Sequence, residues 1–305
     1  MTFFHQLSNN SQGIFFAIAG CFIASILISL VRHLSAEFHI FFIVMMRNFF
    51  GLLFFVPTIL RDHNDILKTK RIKMHVMRGL NALISMLLWF YAISVLPLSE
   101  AVSISFIMPI LTTIAAIFFF KEKVKSKSWV ASFLGLIGII IILRPGFKDL
   151  NIAHLCSLIS VLLWVVSNIM IKSMTKTEKP KTIVAYTTFI IFICSIPLAL
   201  PYLQALNFKD ICWFAFLGLM SNLLYICISS SYAKVDLSVT QPYDFTRLIF
   251  TAVISYFAFG EIVDFWVIIG SLVILSGTII VIPKPKMSQM RRKKKPKKEI
   301  FIDPI

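Results

Sequence analysis

The chain has 305 residues, of which 58% are hydrophobic and only 14% are charged, and its formal net charge is +16. An ordinary soluble domain is about 45–50% apolar and about 25% charged. Because roughly half of the surface of a soluble fold must face water, this composition excludes an ordinary cytosolic enzyme and a disordered basic protein.

Ten continuously apolar segments follow one another along the chain, each about 16 to 23 residues long. A helix rises about 1.5 Å per residue and the hydrocarbon core is about 30 Å thick, so about 20 apolar residues span it. The sequence therefore predicts an all-α membrane protein with ten transmembrane helices. The predicted helices cover residues 13–31, 39–60, 74–95, 97–119, 128–143, 151–171, 183–204, 211–231, 238–259 and 265–282.

The connections between these segments are short, and we expect no separate soluble domain. The predicted organisation has a cytoplasmic N-terminus at 1–12, five-helix repeats at 13–146 and 147–283, and a basic cytoplasmic tail at 284–305. Residues 1–12 contain no Lys or Arg, and the first apolar run is longer than a signal core, so no cleaved signal peptide is predicted.

The basic residues predict the orientation. With ten helices both termini lie on one side, and that side receives 24 of the 30 Lys and Arg residues, Arg78 among them, whereas the other side receives 4. Because positive loops stay cytoplasmic, both termini are predicted to be cytoplasmic. The bias towards Ile, Phe and Lys is compatible with an AT-rich bacterial genome, and the predicted location is the bacterial inner membrane.

The tail carries the basic run RRKKKPKK at residues 291–298. Such a run attracts anionic lipid by about 1 kcal/mol per residue near the surface; the simpler alternative is a signal that keeps the tail cytoplasmic without a specific partner. Nucleic-acid binding is not expected, because no aromatic platform or binding fold accompanies these charges.

The two halves resemble each other at an offset of about 140 residues. An odd number of helices per repeat means that the second copy enters the membrane from the opposite side. Inverted repeats are typical of alternating-access transporters, whose substrate lies near the midplane at the repeat interface. The matching positions are Pro57 and Pro197, Asn81 and Asn222, Tyr91-Ala92 and Tyr232-Ala233, Glu122 and Glu261, and Gly138 and Gly277.

Residues 91–146 resemble the drug/metabolite transporter superfamily of EamA type. The resemblance implies a ten-helix inverted-repeat fold and secondary transport of small metabolites; within the superfamily the pattern is most similar to carriers of S-adenosylmethionine. It extends more weakly over the second half, which lacks an equivalent of Pro109. The motifs that carry it are LPLSEA at 96–101, Pro109, the exit FKEK with Glu122, Trp129, Gly135, Gly138, Arg144-Pro145-Gly146, Arg47-Asn48 and Arg78-Gly79.

Four ionisable side chains lie inside predicted helices, where each costs roughly 2.5–3.5 kcal/mol unless it pairs or lines an aqueous cavity. Asp244 and Arg247 are spaced i,i+3 and can pair; the pair is either a structural ion pair or a site for substrate or a coupling proton. Arg47 has no acidic neighbour in its own helix, so its partner is another helix or an anionic substrate group. Glu100 either contacts substrate or suits the positive end of a helix dipole.

Polar and aromatic residues recur at helical spacing in four segments. Such residues either face a substrate cavity or make interhelical contacts, whereas deep tryptophans form an aromatic wall that suits a planar or cationic ligand. The predicted substrate-binding residues are Arg47, Asn81, Ser85, Trp89, Glu100, Trp164, Asn168, Asn222, Tyr225, Asp244 and Arg247, with Gln241 and Tyr243 beside Asp244.

No motif for nucleotide binding, hydrolytic catalysis or metal ligation occurs in the sequence, so we expect no cofactor and no metal. The predicted function is a secondary carrier of a small polar or zwitterionic metabolite. The specific hypothesis is uptake of S-adenosylmethionine by exchange, and the alternative is proton-driven export of amino acids, amphiphilic metabolites or drugs. A membrane enzyme or a receptor would require clustered catalytic residues or a large exposed loop, and neither is found.

Overall fold

The computed structural model describes residues 8–66, 68–96, 104–105, 107–143, 151–259 and 265–281, and the regular structure in these ranges is entirely helical. A short 3₁₀ turn, Leu200–Tyr202, follows α7. The helices are α1 (Asn9–Leu34), α2 (Ile40–Ile66), α3 (Ile72–Val95), α4 (Met108–Phe120), α5 (Ser126–Leu143), α6 (Ile152–Met174), α7 (Pro180–Ala199), α8 (Phe208–Lys234), α9 (Leu237–Asp244), α10 (Thr246–Phe259) and α11 (Phe265–Val281).

Several helices begin at side chains that satisfy free backbone donors. The Ser8 hydroxyl accepts from the Ser11 amide before α1. Asn151 Oδ1 accepts from the amides of Ala153 and His154 at the start of α6. Because the first four N–H groups of a helix lack intrahelical partners, such caps define where each apolar helix starts.

Within the described ranges, six helices are long and apolar enough to cross a membrane: α1, α2 as far as Pro57, α3, α6, α7 together with the 3₁₀ turn, and α8. Helix α4 and the 268–277 part of α11 are shorter apolar helices. The first eleven residues of the predicted fourth span, 97–107, are described only at Ile104, Ser105 and Ile107.

The predicted single helix at 238–259 is wrong, since two helices occupy this segment. Helix α9 ends at Asp244 and α10 begins at Thr246, with Phe245 between them. Pro242 lies inside α9 and has no N–H to donate to the preceding turn. The interruption at Phe245 lies three residues after this proline, where Thr246 Oγ1 donates to the Tyr243 carbonyl at 2.7 Å, and hydropathy alone does not reveal it.

The two halves interlock helix against helix: α1 packs on α8, α3 on α6, α2 on α7, and α5 on α11. Helices α2 and α7 run antiparallel, because Phe49 packs near Phe192 whereas Gly51 lies nearer the start of α7, beside Thr188. The pair α5 and α11 is also antiparallel. There Gly138 approaches Gly270, whereas residue 131, earlier on α5, approaches Gly277.

The largest apolar core lies between α1, α2, α3 and α8, and it includes Leu30, Phe42, Ile43, Met86 and Phe214. Many large apolar side chains point outward instead. Among those at least half exposed are Phe118, Phe133, Leu60, Ile152 and Phe208. An apolar outer surface around a packed interior is the arrangement of a helix bundle in lipid, where the bilayer rather than water contacts the outer side chains.

Candidate functional site

A central cavity lies between the two halves. Eight helices contribute to its wall: α1, α2, α3, α4, α6, α8, α9 and α10. Seven of the predicted binding residues line it, namely Arg47, Trp89, Trp164, Asn168, Tyr225, Asp244 and Arg247.

Arg47 projects from α2 into this cavity. Its Nε donates to Ser221 Oγ on α8 at 2.5 Å, its Nη1 contacts Met86 Sδ at 2.6 Å, and its guanidinium carbon lies 5.6 Å from the centroid of the Tyr225 ring. The side chain is nearly buried, at 6% exposure. No ion pair in the described part of the chain involves Arg47. The arrangement therefore presents a positive charge, held by neutral groups, to the cavity.

The position of Arg47 depends on close contact between α2 and α8. A Cβ atom built on Gly218 would lie 2.7 Å from the Gly51 amide nitrogen and 2.9 Å from the Arg47 carbonyl oxygen. Distances this short do not occur between real atoms of these kinds, so only glycine allows the two backbones to approach at this level. The same contact is tied by Asn222, whose Nδ2 donates to the Gly51 carbonyl at 2.6 Å.

Aromatic rings form one side of the cavity. Trp164 on α6 and Tyr225 on α8 stack with centroids 6.1 Å apart and planes inclined by 23°. Trp89 and Phe90 on α3 also line the cavity. Rings of this kind stack on planar ligands and attract cations through their faces, so the wall suits a heteroaromatic or cationic portion of a substrate.

Asp244 and Arg247 lie on either side of the break between α9 and α10. Arg247 Nη2 is 3.7 Å from Asp244 Oδ2, and it also lies 3.3 Å from Ser105 Oγ in the first half. Cys21 on α1 donates to Asp244 Oδ1 at 3.7 Å. Both charged side chains are only partly exposed and both line the cavity. The predicted i,i+3 pair thus forms, and both of its members line the cavity.

Two buried acceptors at this end of the cavity have no hydrogen-bond partner in the described part of the chain. They are Gln241 Oε1 and Asp244 Oδ2, and the second of these has the 3.7 Å ion pair with Arg247 Nη2 instead. Gln241 lines the cavity and donates through Nε2 to the Tyr232 hydroxyl at 3.4 Å. An unsatisfied buried acceptor is costly, so this end of the cavity suits a ligand that carries hydrogen-bond donors or positive charge.

Three predicted binding residues lie away from the cavity and join helices instead. Asn81 Nδ2 donates to the Leu163 carbonyl and to Ser167 Oγ, at 2.9 and 2.8 Å. Ser85 Oγ donates to the Ser160 carbonyl at 2.9 Å. These bonds hold α3 against α6, whereas Asn222 holds α8 against α2. Glu100 lies outside the described residues.

Asn168 both lines the cavity and bonds within the protein. Its Nδ2 lies 3.4 Å from Thr112 Oγ1 on α4, and the side chain is buried. Within the described ranges, no group of three or more His, Cys, Asp or Glu side chains is placed to hold a metal ion. The polar chemistry of the cavity is therefore that of guanidinium, carboxylate, amide and aromatic groups.

The position of Arg78 differs from the one that the charge pattern of the sequence predicts. The charge pattern predicts a cytoplasmic loop for it, but it lies in the second turn of α3 and is completely buried. Its Nη1 donates to Thr187 Oγ1, and its guanidinium carbon is 5.6 Å from the Tyr225 centroid. The predicted helix 74–95 contains Arg78, but its burial is not evident from the sequence because it follows a run of loop lysines and arginines.

Comparison with known proteins gives two matches to one family model, the EamA-like transporter family, at residues 11–144 and 151–282. A solved crystal structure of another protein superposes with a TM-score of 0.77 over 90% of this chain and 98% of the other, at 13% sequence identity. At that identity the likeness concerns the fold alone.

Relatives of known name are similar along most of their length. An S-adenosylmethionine uptake transporter of Rickettsia bellii is 27% identical over 261 residues, which cover 86% of this chain and 90% of the relative. A second such transporter, from Rickettsia prowazekii, is 26% identical over 257 residues, covering 84% and 87%. A riboflavin transporter of Vibrio cholerae is 30% identical over 231 residues, covering 75% of each chain.

Proposed function

Because the chain belongs to the EamA-like transporter family, whose members are membrane transporters and not enzymes, we propose that it carries a zwitterionic metabolite with a heteroaromatic portion, and specifically S-adenosylmethionine. The observation that carries the proposal is the cavity itself. It joins a guanidinium held only by neutral groups in the described residues, a stacked Trp–Tyr wall, and a carboxylate whose ion pair with Arg247 is long, at 3.7 Å.

Each part of the ligand has a matching group. The Arg47 guanidinium would hold the carboxylate, because guanidinium and carboxylate form strong charge-assisted hydrogen bonds. Trp89, Trp164 and Tyr225 would receive the adenine ring by stacking. Asp244 would hold the ammonium or sulfonium group of the substrate, which would replace Arg247 as the ion-pair partner of this carboxylate. These roles divide the ligand between the two halves of the protein.

Antiparallel packing of equivalent helices supports ten membrane-spanning helices in two inverted five-helix repeats. At an offset of about 140, α2 corresponds to α7 and α5 to α11, and each pair runs antiparallel. A helix and its copy that run in opposite directions are what an inverted repeat produces. Movement of one repeat against the other would then expose the cavity to each side alternately.

The carrier would lie in the bacterial inner membrane with both termini in the cytoplasm. The sidedness of the basic residues supports this orientation, and moving Arg78 into α3 leaves the asymmetry nearly unchanged. The basic tail lies outside the described residues; its composition supports an attraction to anionic lipid. Exchange for an internal counter-solute would drive uptake.

Two other substrate classes are distinguished by the same cavity. Riboflavin, like S-adenosylmethionine, contains a planar heteroaromatic ring system, and the similarity to the Vibrio cholerae riboflavin transporter favours it as a substrate. However, riboflavin has no carboxylate for Arg47 and no cation for Asp244. Export of amino acids or amphiphilic compounds with protons would use Arg47 and Asp244 without requiring the aromatic wall. Replacing Trp164 by Leu therefore separates a heteroaromatic substrate from a simple amino acid.

The test is uptake into proteoliposomes of the purified full chain. Radiolabelled S-adenosylmethionine is supplied outside the vesicles in three conditions: vesicles loaded with unlabelled S-adenosylmethionine, empty vesicles, and empty vesicles with an imposed pH gradient. Uptake of riboflavin and of amino acids is measured in parallel. We expect uptake that requires the internal counter-solute and not the pH gradient. Uptake of riboflavin but not of S-adenosylmethionine would overturn the substrate assignment, and proton-driven movement of amino acids alone would establish the alternative.

A further inference from the structure

A buried cluster of one histidine and one arginine lies outside the central cavity, on the N-terminal part of α3. His75 and Arg78 are one turn apart, both are completely buried, and neither lines the cavity. In the described part of the chain, both ring nitrogens of His75 and the Nε and Nη2 atoms of Arg78 have no hydrogen-bond partner. Donors of this kind inside a membrane-spanning bundle are costly and mark functional pathways.

The groups around this cluster do not neutralise it. Arg78 Nη1 donates to Thr187 Oγ1 on α7, and the His75 ring lies 4.4 Å from the Tyr186 ring. The Thr187 hydroxyl in turn donates to the Ile183 carbonyl at 2.7 Å. None of the ion pairs among the described residues includes Arg78. A guanidinium with one neutral partner retains donors that suit an anion.

Tyr225 separates the cluster from the cavity. Its ring lines the cavity, and the guanidinium carbons of Arg47 and Arg78 each lie 5.6 Å from its centroid. Tyr225 is 4% exposed and packs with Phe55 and Val184. A rearrangement of this one ring would connect the guanidinium inside the cavity with the guanidinium behind it.

Both arginines lie in the first half, and each makes a related contact with the second half. Arg47 on α2 donates to a hydroxyl on α8, and Thr187, the counterpart of Arg47 at the offset of 140, accepts from Arg78 on α3. Each contact joins the second helix of one half to the third helix of the other. In an inverted-repeat carrier such related positions exchange their environments when the molecule switches.

We propose that His75 and Arg78 form a second anion subsite, which receives the carboxylate of the substrate when the carrier opens toward the side on which α3 begins. This inference rests on the proposed carrier function. Arg78 precedes Met86, the first cavity residue of α3, by eight residues, which is about 12 Å along the helix axis. Arg47 binds the carboxylate while the cavity is open to the opposite side. The carboxylate then passes Tyr225 and binds Arg78.

Sided transport kinetics test the subsite. The full chain is reconstituted in one orientation, and the KM for radiolabelled S-adenosylmethionine is measured from each side. Arg78→Gln should raise the KM about tenfold from the side on which α3 begins and less than twofold from the other, because one charge-assisted bond is lost in one state only. Arg47→Gln should show the opposite asymmetry, and Lys73→Gln, at the exposed start of α3, should change neither KM.

Equal KM values for Arg78→Gln and the natural protein on both sides would overturn the subsite while leaving the carrier function intact. Arg78→Lys keeps the charge and should retain most of the affinity from the side on which α3 begins. A variant that fails to fold is recognised by loss of transport from both sides and by aggregation during size-exclusion chromatography, in which case Arg78→Lys decides.

A second measurement needs no substrate. In a variant without its five natural cysteines, Arg78→Cys is treated with a membrane-impermeant anionic methanethiosulfonate from each side. We expect labelling only from the side on which α3 begins. Ala82→Cys, one turn further along and buried in the largest core, should remain unlabelled. Absence of labelling at position 78 overturns the subsite, even if S-adenosylmethionine is not the substrate.

Discussion

Arg47 Nε donates to Ser221 Oγ at 2.5 Å, and this bond crosses from the first half of the chain to the second. The Ser221 hydroxyl itself donates to the Leu217 carbonyl at 2.6 Å. Since both groups of this contact are held within the bundle, the guanidinium is fixed before a substrate arrives. Pre-positioned donors bind an anionic group without a further ordering cost.

The first prediction concerns Arg47. Arg47→Gln should raise the KM for S-adenosylmethionine in outside-to-inside uptake about 10- to 100-fold, because a charge-assisted bond to the carboxylate is lost. Ser221→Ala should have a smaller effect, since it removes the anchor and not the charge. Proteoliposome uptake measures both, with membrane insertion checked by the yield of folded protein. Normal uptake by Arg47→Gln would show that the arginine is structural.

The second prediction separates the two interpretations of the Asp244–Arg247 pair. If Asp244 exchanges its partner for the substrate cation, Asp244→Asn should reduce uptake at least tenfold, whereas the double variant Asp244→Asn/Arg247→Gln should recover stability but not transport. If the ion pair is only structural, the double variant should recover both stability and transport, because it leaves no unpaired buried charge. Thermal unfolding in detergent and uptake of S-adenosylmethionine, measured on the same preparations, distinguish the outcomes.

The third prediction compares two asparagines. Asn81→Ala should lower stability by roughly 0.6–1.7 kcal/mol for each interhelical bond lost and leave the KM within twofold, because Asn81 holds α3 against α6 and does not line the cavity. Asn168→Ala should change the KM several-fold with a smaller loss of stability, because Asn168 lines the cavity. Reversal of this pattern would contradict the division between structural and binding amides.

The fourth prediction concerns backbone contact near Arg47. Gly218→Ala should lower stability by about 1–3 kcal/mol, since the new methyl group meets the backbone of α2 and must displace it. Gly20→Ala is the matched control, because its Cβ would lie at ordinary van der Waals distance, 3.7 Å, from Cys227 and Leu224. Melting temperature should fall for Gly218→Ala and remain near the natural value for Gly20→Ala, which is a control for stability only because Gly20 lines the cavity.

The helical membrane class and the repeat follow from the amino-acid sequence alone. Apolar runs of about 20 residues and a recurring offset between the halves are each the sum of many residues. They therefore do not depend on any single tertiary contact. Arg47, Asp244 and Arg247 are also recognisable there, since a charge within an apolar run is costly enough to require a reason.

Which polar side chains face the cavity depends on how the helices pack in three dimensions. Asn81 and Asn168 have the same chemistry and similar helical surroundings, yet one bonds across α3 and α6 and the other lines the cavity. Helical spacing fixes which residues share a face but not what that face meets. Arg78 shows the same dependence on packing. In the sequence it belongs to a basic stretch, and only the packing of α3 against α7 and Tyr225 buries it.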